Sequence, residues 1–287
     1  MVHKSKRFRN FLLFICVIAV LIIFFTWQNN AVVVTNYEYT NAKLPPSFNN
    51  LTILQISDLH NKDFHGRLSQ KVKELNPDII VVTGDLIDRR STKTDIATEF
   101  IKQIGETAPI YYVSGNHEQL SGKYKILKAE LQRQKVHIMD NSYKVLNEKG
   151  YEIGLLGIGD PAIYQTEGDY LWDDGSGYVR EQLDKLLEDM DTDFNILLSH
   201  RPEQFPVYRD MKLDLVFSGH AHGGQIRLPL IGGLYAPHQG LFPKYTAGVY
   251  NDGNTSMVVS RGLGNSVFPV RVFNRPELVV VTLICPR

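Results

Sequence analysis

The sequence predicts an α/β protein of mixed sheets covered by helices, preceded by one apolar N-terminal helix, and three observations carry that expectation. Short β-branched apolar runs alternate with amphipathic stretches through the first part of the chain, the pattern of strands buried between helices. Several of these runs end directly in Asp, Asn or His, where the backbone of an open α/β sheet turns and functional side chains gather. After His222 the pattern becomes β-rich, so the first half reads as βα units and the second as more antiparallel.

Composition narrows the function classes. The 287 residues suffice for one large domain or two small ones. Lys plus Arg and Asp plus Glu both number 31, so no global field favours nucleic acid or gathers acidic ligands, and function has to come from a local site. Cys16 and Cys285 lie at opposite ends, which excludes a disulfide framework and disfavours a cysteine-based zinc site. A metal here rests on nitrogen and oxygen ligands.

Taken in order, residues 1–10 form a basic tail with Lys4, Lys6, Arg7 and Arg9, and 11–27 form an uncharged run from Phe11 to Trp27. At ~1.5 Å per helical residue this run is about the minimum that spans a bilayer core. Its end is bulky and aromatic, unlike the small residues of a signal-peptide cleavage site, so it reads as an uncut transmembrane anchor with Trp27 at the interface. The basic tail then stays in the cytoplasm and the rest of this single-pass protein lies outside the cell membrane. Residues 28–48 read as a linker. Val32 to Val34 with Tyr37 and Tyr39 could add an edge strand, but Pro45-Pro46 enforces extended backbone, and the globular domain is expected over 49–287.

Within that domain, Leu51 to Ser57, Ile79 to Thr83, Ile110 to Val113, Phe194 to Ser199 and Leu213 to Phe217 are the expected buried strands. Helices are expected from about Gly66 to Asn76, from a cap at Asp95 with Ile96, Phe100 and Ile104 on one face, from Ser121 with Leu127 and Leu131, and over Val179, Leu183, Leu186, Leu187 and Met190. Asn147-Glu148-Lys149-Gly150 joins a hairpin, and Met257 to Ser260 and Leu278 to Ile284 are the best later strands.

The five strands deliver Asp58-Leu59-His60, Gly84-Asp85, Asn116-His117-Glu118, His200 and His220-Ala221-His222. A lone strand-end Asp often only caps a turn, and a lone His usually satisfies itself against backbone. His-x-His is different, because i and i+2 of an extended segment point the same way and offer two imidazoles to one volume. Asp58, His60, Asp85, Asn116, His200, His220 and His222 make seven donors, too many for one tetrahedral zinc. They suit two divalent ions ~3.5–4 Å apart, which activate water and stabilise attacking and leaving oxygens, with Asp85 the candidate bridge. Such ligands accept Mn, Fe, Co or Zn.

These ordered blocks, Asp58-Leu59-His60, Gly84-Asp85-Leu86-Ile87-Asp88-Arg89, Gly115-Asn116-His117-Glu118, His200 and Gly219-His220-Ala221-His222, resemble the signature of calcineurin-like metallophosphoesterases. The resemblance implies a four-layer αββα sandwich of two mixed sheets, and catalysis involving Asp85 and His117. It also implies one metal on Asp58, His60, Asp85 and His222, a second on Asp85, Asn116, His200 and His220, and His117 facing the leaving oxygen. Ser260 to Asn265 and Arg271 to Glu277 are similar to a membrane-anchored bacterial phosphodiesterase subgroup that includes UDP-2,3-diacylglucosamine hydrolase-like members. That similarity admits phosphodiester, pyrophosphate and lipid-linked substrates, with Arg261 and Arg271 as phosphate contacts or, equally, partners of surface carboxylates. Ser114 stands where serine/threonine protein phosphatases of the superfamily carry Arg, which disfavours that activity. The competing expectations are a phosphomonoesterase and a non-catalytic membrane protein that keeps a metal site.

Overall fold

The computed structural model describes residues 2–286 other than 92, 167 and 267; positions 1 and 287, the outer ends of the expected tail and domain, lie outside it. In chain order the elements are α1 (Val2–Asn30), β1 (Val33–Thr40), β2 (Thr52–Ile56), α2 (Arg67–Leu75), β3 (Ile79–Thr83), α3 (Asp95–Ile104), β4 (Ile110–Val113), α4 (Asn116–Leu120), α5 (Tyr124–Arg133), β5 (His137–Ile138), β6 (Ser142–Glu148) and β7 (Tyr151–Ile158). Then follow α6 (Asp169–Trp172), α7 (Ser176–Glu188), β8 (Asn195–Ser199), α8 (Phe205–Asp210), β9 (Leu215–Ser218), β10 (Arg227–Leu228), β11 (Gly232–Gly233), β12 (Tyr235–Ala236), β13 (Gly240–Leu241), β14 (Gly248–Asp252), β15 (Thr255–Val259) and β16 (Glu277–Ile284).

Two six-stranded mixed sheets, ordered β1-β16-β2-β3-β4-β5 and β14-β15-β9-β8-β7-β6, stack between layers of helix. The central strands β2, β3, β4, β8 and β9 are buried on both faces, whereas the edge strands β1, β6 and β14 alternate with exposed positions. Along β3, Ile79 and Val81 point between the sheets, towards Phe194, Ile196 and Phe217, while Ile80 and Val82 point to the layer of α2, α3 and α5. On the far sheet Leu197 and Val216 face α7 and α8 with Val179, Leu183 and Tyr208. Gln55 is the polar exception on β2. Its amide donates to Thr83 Oγ1 at 3.0 Å and across the sandwich to the Ser218 carbonyl at 2.8 Å, which stitches the two sheets next to the site. The expected antiparallel character beyond His222 holds in β10/β11, β12/β13, β14/β15 and β16/β2, while β15 and β16 also join parallel neighbours, β9 and β1.

Local signals misplace several boundaries. Asp95 is the first residue of α3 rather than its cap, and the buried face is Ala97, Phe100, Ile101 and Ile104, with Ile96 half-exposed. Ser121 closes α4, α5 starts at Tyr124, and Met190 lies beyond the end of α7. The larger correction concerns 28–48. This stretch holds the last turn of α1 and all of β1, which pairs in parallel with β16 over eight residues. Pro45-Pro46 comes after the strand has ended and so does not interrupt it, and Leu44 and Phe48 beside it are buried. The sheet therefore starts at Val33, not at Asn49.

Removing this edge exposes β16 and empties the seats of Leu44 and Phe48. A chain beginning at Asn49 is expected to be less stable than one beginning at Ala31 by at least about 3 kcal/mol, given ~1.5–3 kcal/mol per buried large apolar side chain. Urea unfolding of the two is the check, and coincident midpoints would show that β1 contributes nothing.

Candidate metal centre

All seven expected donors follow the C-terminal ends of parallel strands, and all are buried. Asp58 and His60 follow β2, Asp85 follows β3, Asn116 opens α4 after β4, His200 follows β8, and His220 and His222 follow β9. Stacking the sheets makes these ends meet. Their donor atoms form two groups that share Asp85. Asp58, His60, Asp85 and His222 have ligand atoms within 4.8 Å of one another, and so do Asp85, His200 and His220. Asn116 Oδ1 lies 3.2 Å from His200 Nε2.

His220 and His222 part company, which corrects the reading of His-x-His as an extended pair. Both have left-handed backbone (φ 64° and 47°), as do Asp58, His60 and Asp85 (φ 52°, 48° and 54°). Non-glycine residues occupy that region only at a cost, and such strain concentrates where surrounding structure over-determines the chain. Here the loops are zipped together: the amides of Asp58, His60 and Asn61 donate to the carbonyls of Gly84, Asp85 and Leu86 at 2.9–3.0 Å. The resulting turn sends His222 to one group and His220 to the other.

Within each group imidazole nitrogens face one another, His60 Nε2 to His222 Nε2 at 2.9 Å and His200 Nε2 to His220 Nδ1 at 3.1 Å. Two such nitrogens can share one hydrogen or direct both lone pairs at a cation. Outer partners favour the second arrangement on the His200 side. His200 Nδ1 donates to the Thr83 carbonyl at 2.7 Å, leaving Nε2 as the inward lone pair. Tyr170 O accepts from His238 Nε2 at 2.6 Å, so His238 Nδ1 can accept from His220 Nε2 at 3.3 Å, and His220 Nδ1 becomes the inward lone pair. His238 therefore orients a candidate ligand, a role for which its own neighbours Pro237 and Gln239 carry no motif.

Electrostatics suit a cation. Burial, then repulsion by neighbouring imidazoles, holds His60 down at about 3 and His220 and His222 well below the usual imidazole range, so each ring keeps a lone pair for a cation. Burial opposes charge on His200 too, but Asp85 at 3.2 Å outweighs it and lifts this imidazole to about 10. Burial likewise works against the Asp85 charge, yet His200 and His117 hold that carboxylate well below its ordinary range. Burial raises Asp58 to about 6. The proton on His200 thus balances Asp85, and a divalent ion held by both would displace it.

Glu118 carries the support. Its buried carboxylate accepts the amides of Asp85 and Gly115 at 2.8 Å and of Ile87 at 3.1 Å, locking the β3 and β4 loops together. Gly115 has to be glycine for this, because a Cβ there would stand 2.2 Å from Asp85 Oδ1. His117 lies beside the donor groups rather than between them, its ring 4.4 Å from that of His60. The Arg89 amide donates to His117 Nδ1 at 3.1 Å, which leaves the hydrogen of the neutral ring on Nε2. Burial pulls its pKa down, but Asp85 and Asp88 outweigh burial and raise it.

Of the two expectations for Arg261 and Arg271, pairing with a carboxylate describes Arg261, whose Nε lies 3.7 Å from the buried Glu277, and the phosphate contact is corrected for both. A cavity of about 240 Å³ opens over the donors, with Arg89, His117, Tyr170, Tyr235 and His238 in its wall, and neither arginine lines it. Arg271 is buried, and its guanidinium donates to the carbonyls of Gly264, Arg261 and Asn274, holding the 261–274 loop behind His222. Asn274 completes that brace by donating to the His222 carbonyl at 2.7 Å. The Arg261 amide donates to the buried Glu277 carboxylate at 3.0 Å. Gly262 lets this loop approach, since a Cβ would sit 2.6 Å from that of Asp58.

Residues 51–224 match the profile of the calcineurin-like phosphoesterase family. Among curated proteins, the uncharacterized metallophosphoesterase YkuE of Bacillus subtilis is 29% identical over 257 residues, covering 87% of this chain and 84% of its own. Phosphodiesterase YaeI of Escherichia coli is 28% identical over 81% of this chain and 82% of its own. The transmembrane protein with metallophosphoesterase domain of Bos taurus is 30% identical over 87% of this chain but only 56% of its own.

Glu118→Ala leaves three buried amides without an acceptor, at ~1–3 kcal/mol each. The variant is expected to lose at least about 3 kcal/mol of unfolding free energy and to lose bound metal with it, whereas Glu118→Gln, which keeps one acceptor oxygen, loses less. Urea unfolding and elemental analysis check this, and full metal loading in a normally stable Glu118→Ala protein would show that the loops hold without the carboxylate.

Proposed function

The chain belongs to the calcineurin-like phosphoesterase family of metal-dependent hydrolases, and from that premise we propose that it cleaves phosphodiester or pyrophosphate bonds while anchored in a membrane by α1. The observation that carries the reading is the sharing of Asp85 by two convergent donor groups. Asp58, His60, Asp85 and His222 would hold one divalent ion, and Asp85, Asn116, His200 and His220 the other. Such a pair supplies an activated water and charge stabilisation on the phosphoryl oxygens. The diester preference is supported by the likeness to a phosphodiesterase and by a proton source at the cavity wall.

That source is His117. Its Nε2 carries the transferable hydrogen of the cationic ring, a form that Asp85 and Asp88 favour by raising its pKa and in which Nδ1–H gives up the Arg89 amide for Asp88. Asp88 Oδ1, 3.6 Å from Nδ1, stabilises the cationic form. Arg89 sets a guanidinium in the same wall, 5.6 Å from the Tyr170 ring centre, a group suited to a non-bridging phosphate oxygen.

Activity towards bis-p-nitrophenyl phosphate in added Mn²⁺ tests the reading. The intact protein is expected to turn over and to hold two metals, and Asp85→Asn to lose both metals together with the activity. His117→Ala is expected to keep its metals and to lose ~10²–10⁴-fold on alkyl diesters but far less on nitrophenyl diesters, whose leaving group needs no proton. Equal losses on both substrates would remove the proton-donor role, and an inactive, metal-loaded wild type would remove the enzyme.

The helix over Lys6–Asn30 is long and apolar enough to cross a membrane. Lys4, Lys6, Arg7 and Arg9 at its start resist translocation, which supports a cytoplasmic tail and an outward catalytic domain. Protease added to intact cells is expected to remove that domain; digestion only after lysis would reverse the orientation.

A further inference from the structure

We infer that the two short hairpins beyond His222 and the loop at 268–273 form a bilayer-embedding surface that continues α1 and sets the mouth of the metal cavity at the headgroup layer. The inference rests on the reading of a membrane-anchored phosphoesterase and names its substrate class: a phosphoester whose apolar part remains in the membrane while its phosphate enters the cavity.

The exposed tips are apolar. Leu230 and Ile231 between β10 and β11 are 109% and 59% exposed, and Leu241 and Phe242 at β13 are 73% and 67% exposed. Phe268 and Phe273 add 40% and 53% on the neighbouring loop. Single exposed apolar residues are ordinary on a soluble surface, but contiguous ones mark an interaction face. Leu230, Phe242 and Phe273 also have left-handed backbone, at φ 69°, 53° and 50°.

These tips are continuous with the membrane helix. The Phe273 ring packs edge-on against Phe24 of α1 at 5.8 Å, the Arg275 guanidinium lies 4.5 Å from the Trp27 ring centre, and Asn29 Oδ1 accepts the Arg271 amide at 2.9 Å. The first hairpin is tied to that loop by the Arg227 amide on the Val272 carbonyl at 3.0 Å. Phe273 and the Leu228–Gly232 turn line one groove. The second hairpin is tied to the first through Leu234, whose carbonyl accepts the Phe242 amide at 3.0 Å and whose own amide donates to the Ile226 carbonyl at 2.9 Å. The helix end is thus fixed to the apolar tips rather than joined to them by a free tether.

The same elements build the cavity mouth. Tyr235, Pro237 and His238 belong to the hairpin that presents Leu241 and Phe242, and Ser266 precedes Phe268 by two residues. Seating the tips in lipid therefore brings the cavity to the depth where a membrane-resident phosphate lies.

The test uses the full chain in phosphatidylcholine and phosphatidylglycerol vesicles. With Cys16 and Cys285 replaced by Ser, an environment-sensitive fluorophore is attached at Leu230→Cys, Phe242→Cys or, as a control on the β6–β7 turn, Lys149→Cys. The two tip labels are expected to be quenched by nitroxide on the upper acyl chain and shielded from aqueous iodide, and the Lys149 label to behave oppositely. Tip labels open to iodide overturn the surface, as do tip labels shielded from both quenchers, which would mean that a protein covers it. In a second arm, Leu230→Asp with Phe242→Asp is expected to cut hydrolysis of a vesicle-held phospholipid diester about tenfold or more while leaving bis-p-nitrophenyl phosphate turnover unchanged. Equal loss on both substrates, or no loss on the vesicle substrate, overturns the access role. A chain that hydrolyses neither, yet shows its tips in lipid, upholds the surface and removes the phosphoesterase reading.

Discussion

Three backbone amides converge on one buried carboxylate, that of Glu118, and the geometry of the metal centre depends on it. Asp85 and Gly115 lie on loops that leave adjacent strands, and nothing in their own sequence would keep them parallel past the strand ends. Glu118 ties both from below at 2.8 Å, and the His117 amide returns a bond of 2.8 Å to Asp85 Oδ1. Burial and the Asp85 charge push the Glu118 pKa up to about 7 against the pull of those amides, so this support is bought with an unfavourable charge placement. Such placement is tolerable only where every oxygen is satisfied.

With those loops fixed, the chain can hold five of its seven donors in left-handed backbone. The cost is offset by the sandwich beneath, in which β2, β3 and β4 on one sheet and β8 and β9 on the other are buried on both faces and leave the loops little freedom to relax. Gln55 contributes where the sheets meet, since its cross-sandwich bond to Ser218 sets the distance between the β2 and β9 ends and hence between Asp58 and His220. The His220 amide donates to Asp58 at 3.1 Å, so the two halves of the chain close on one another at the site itself.

The candidate metal site and the apolar helix α1 share one brace. Arg271 holds the 261–274 loop through three carbonyls, its amide reaches Asn29 at the end of α1, and Asn274 beside it fixes the His222 turn. The end of α1 and a candidate metal donor are therefore joined by a short run of hydrogen bonds.

Much of this was legible in the sequence because it depends on local pattern. Apolar runs of strand length bounded by Pro and Gly reported strands buried on both faces, and donors stationed at their ends reported a site. The uncharged run after a basic tail reported the apolar helix. What local pattern does not contain is the partner. β1 looked like a linker because the strand that completes it, β16, lies some 240 residues away, as in the bond from Thr35 to Glu277 with a separation of 242. Arg271 looked like a partner for phosphate or for a surface carboxylate, because carbonyl acceptors such as those of Gly264, Arg261 and Asn274 carry no sequence signal. His238 gave no signal, since its role exists only once Tyr170 and His220 stand on either side of it. The division of His220 and His222 between two groups likewise follows from a turn that neighbouring loops impose. Sequence determined which residues could be strands and which could bind a cation; tertiary structure decided which of them meet, because hydrogen-bond partners and burial are set by distant segments that no local window includes.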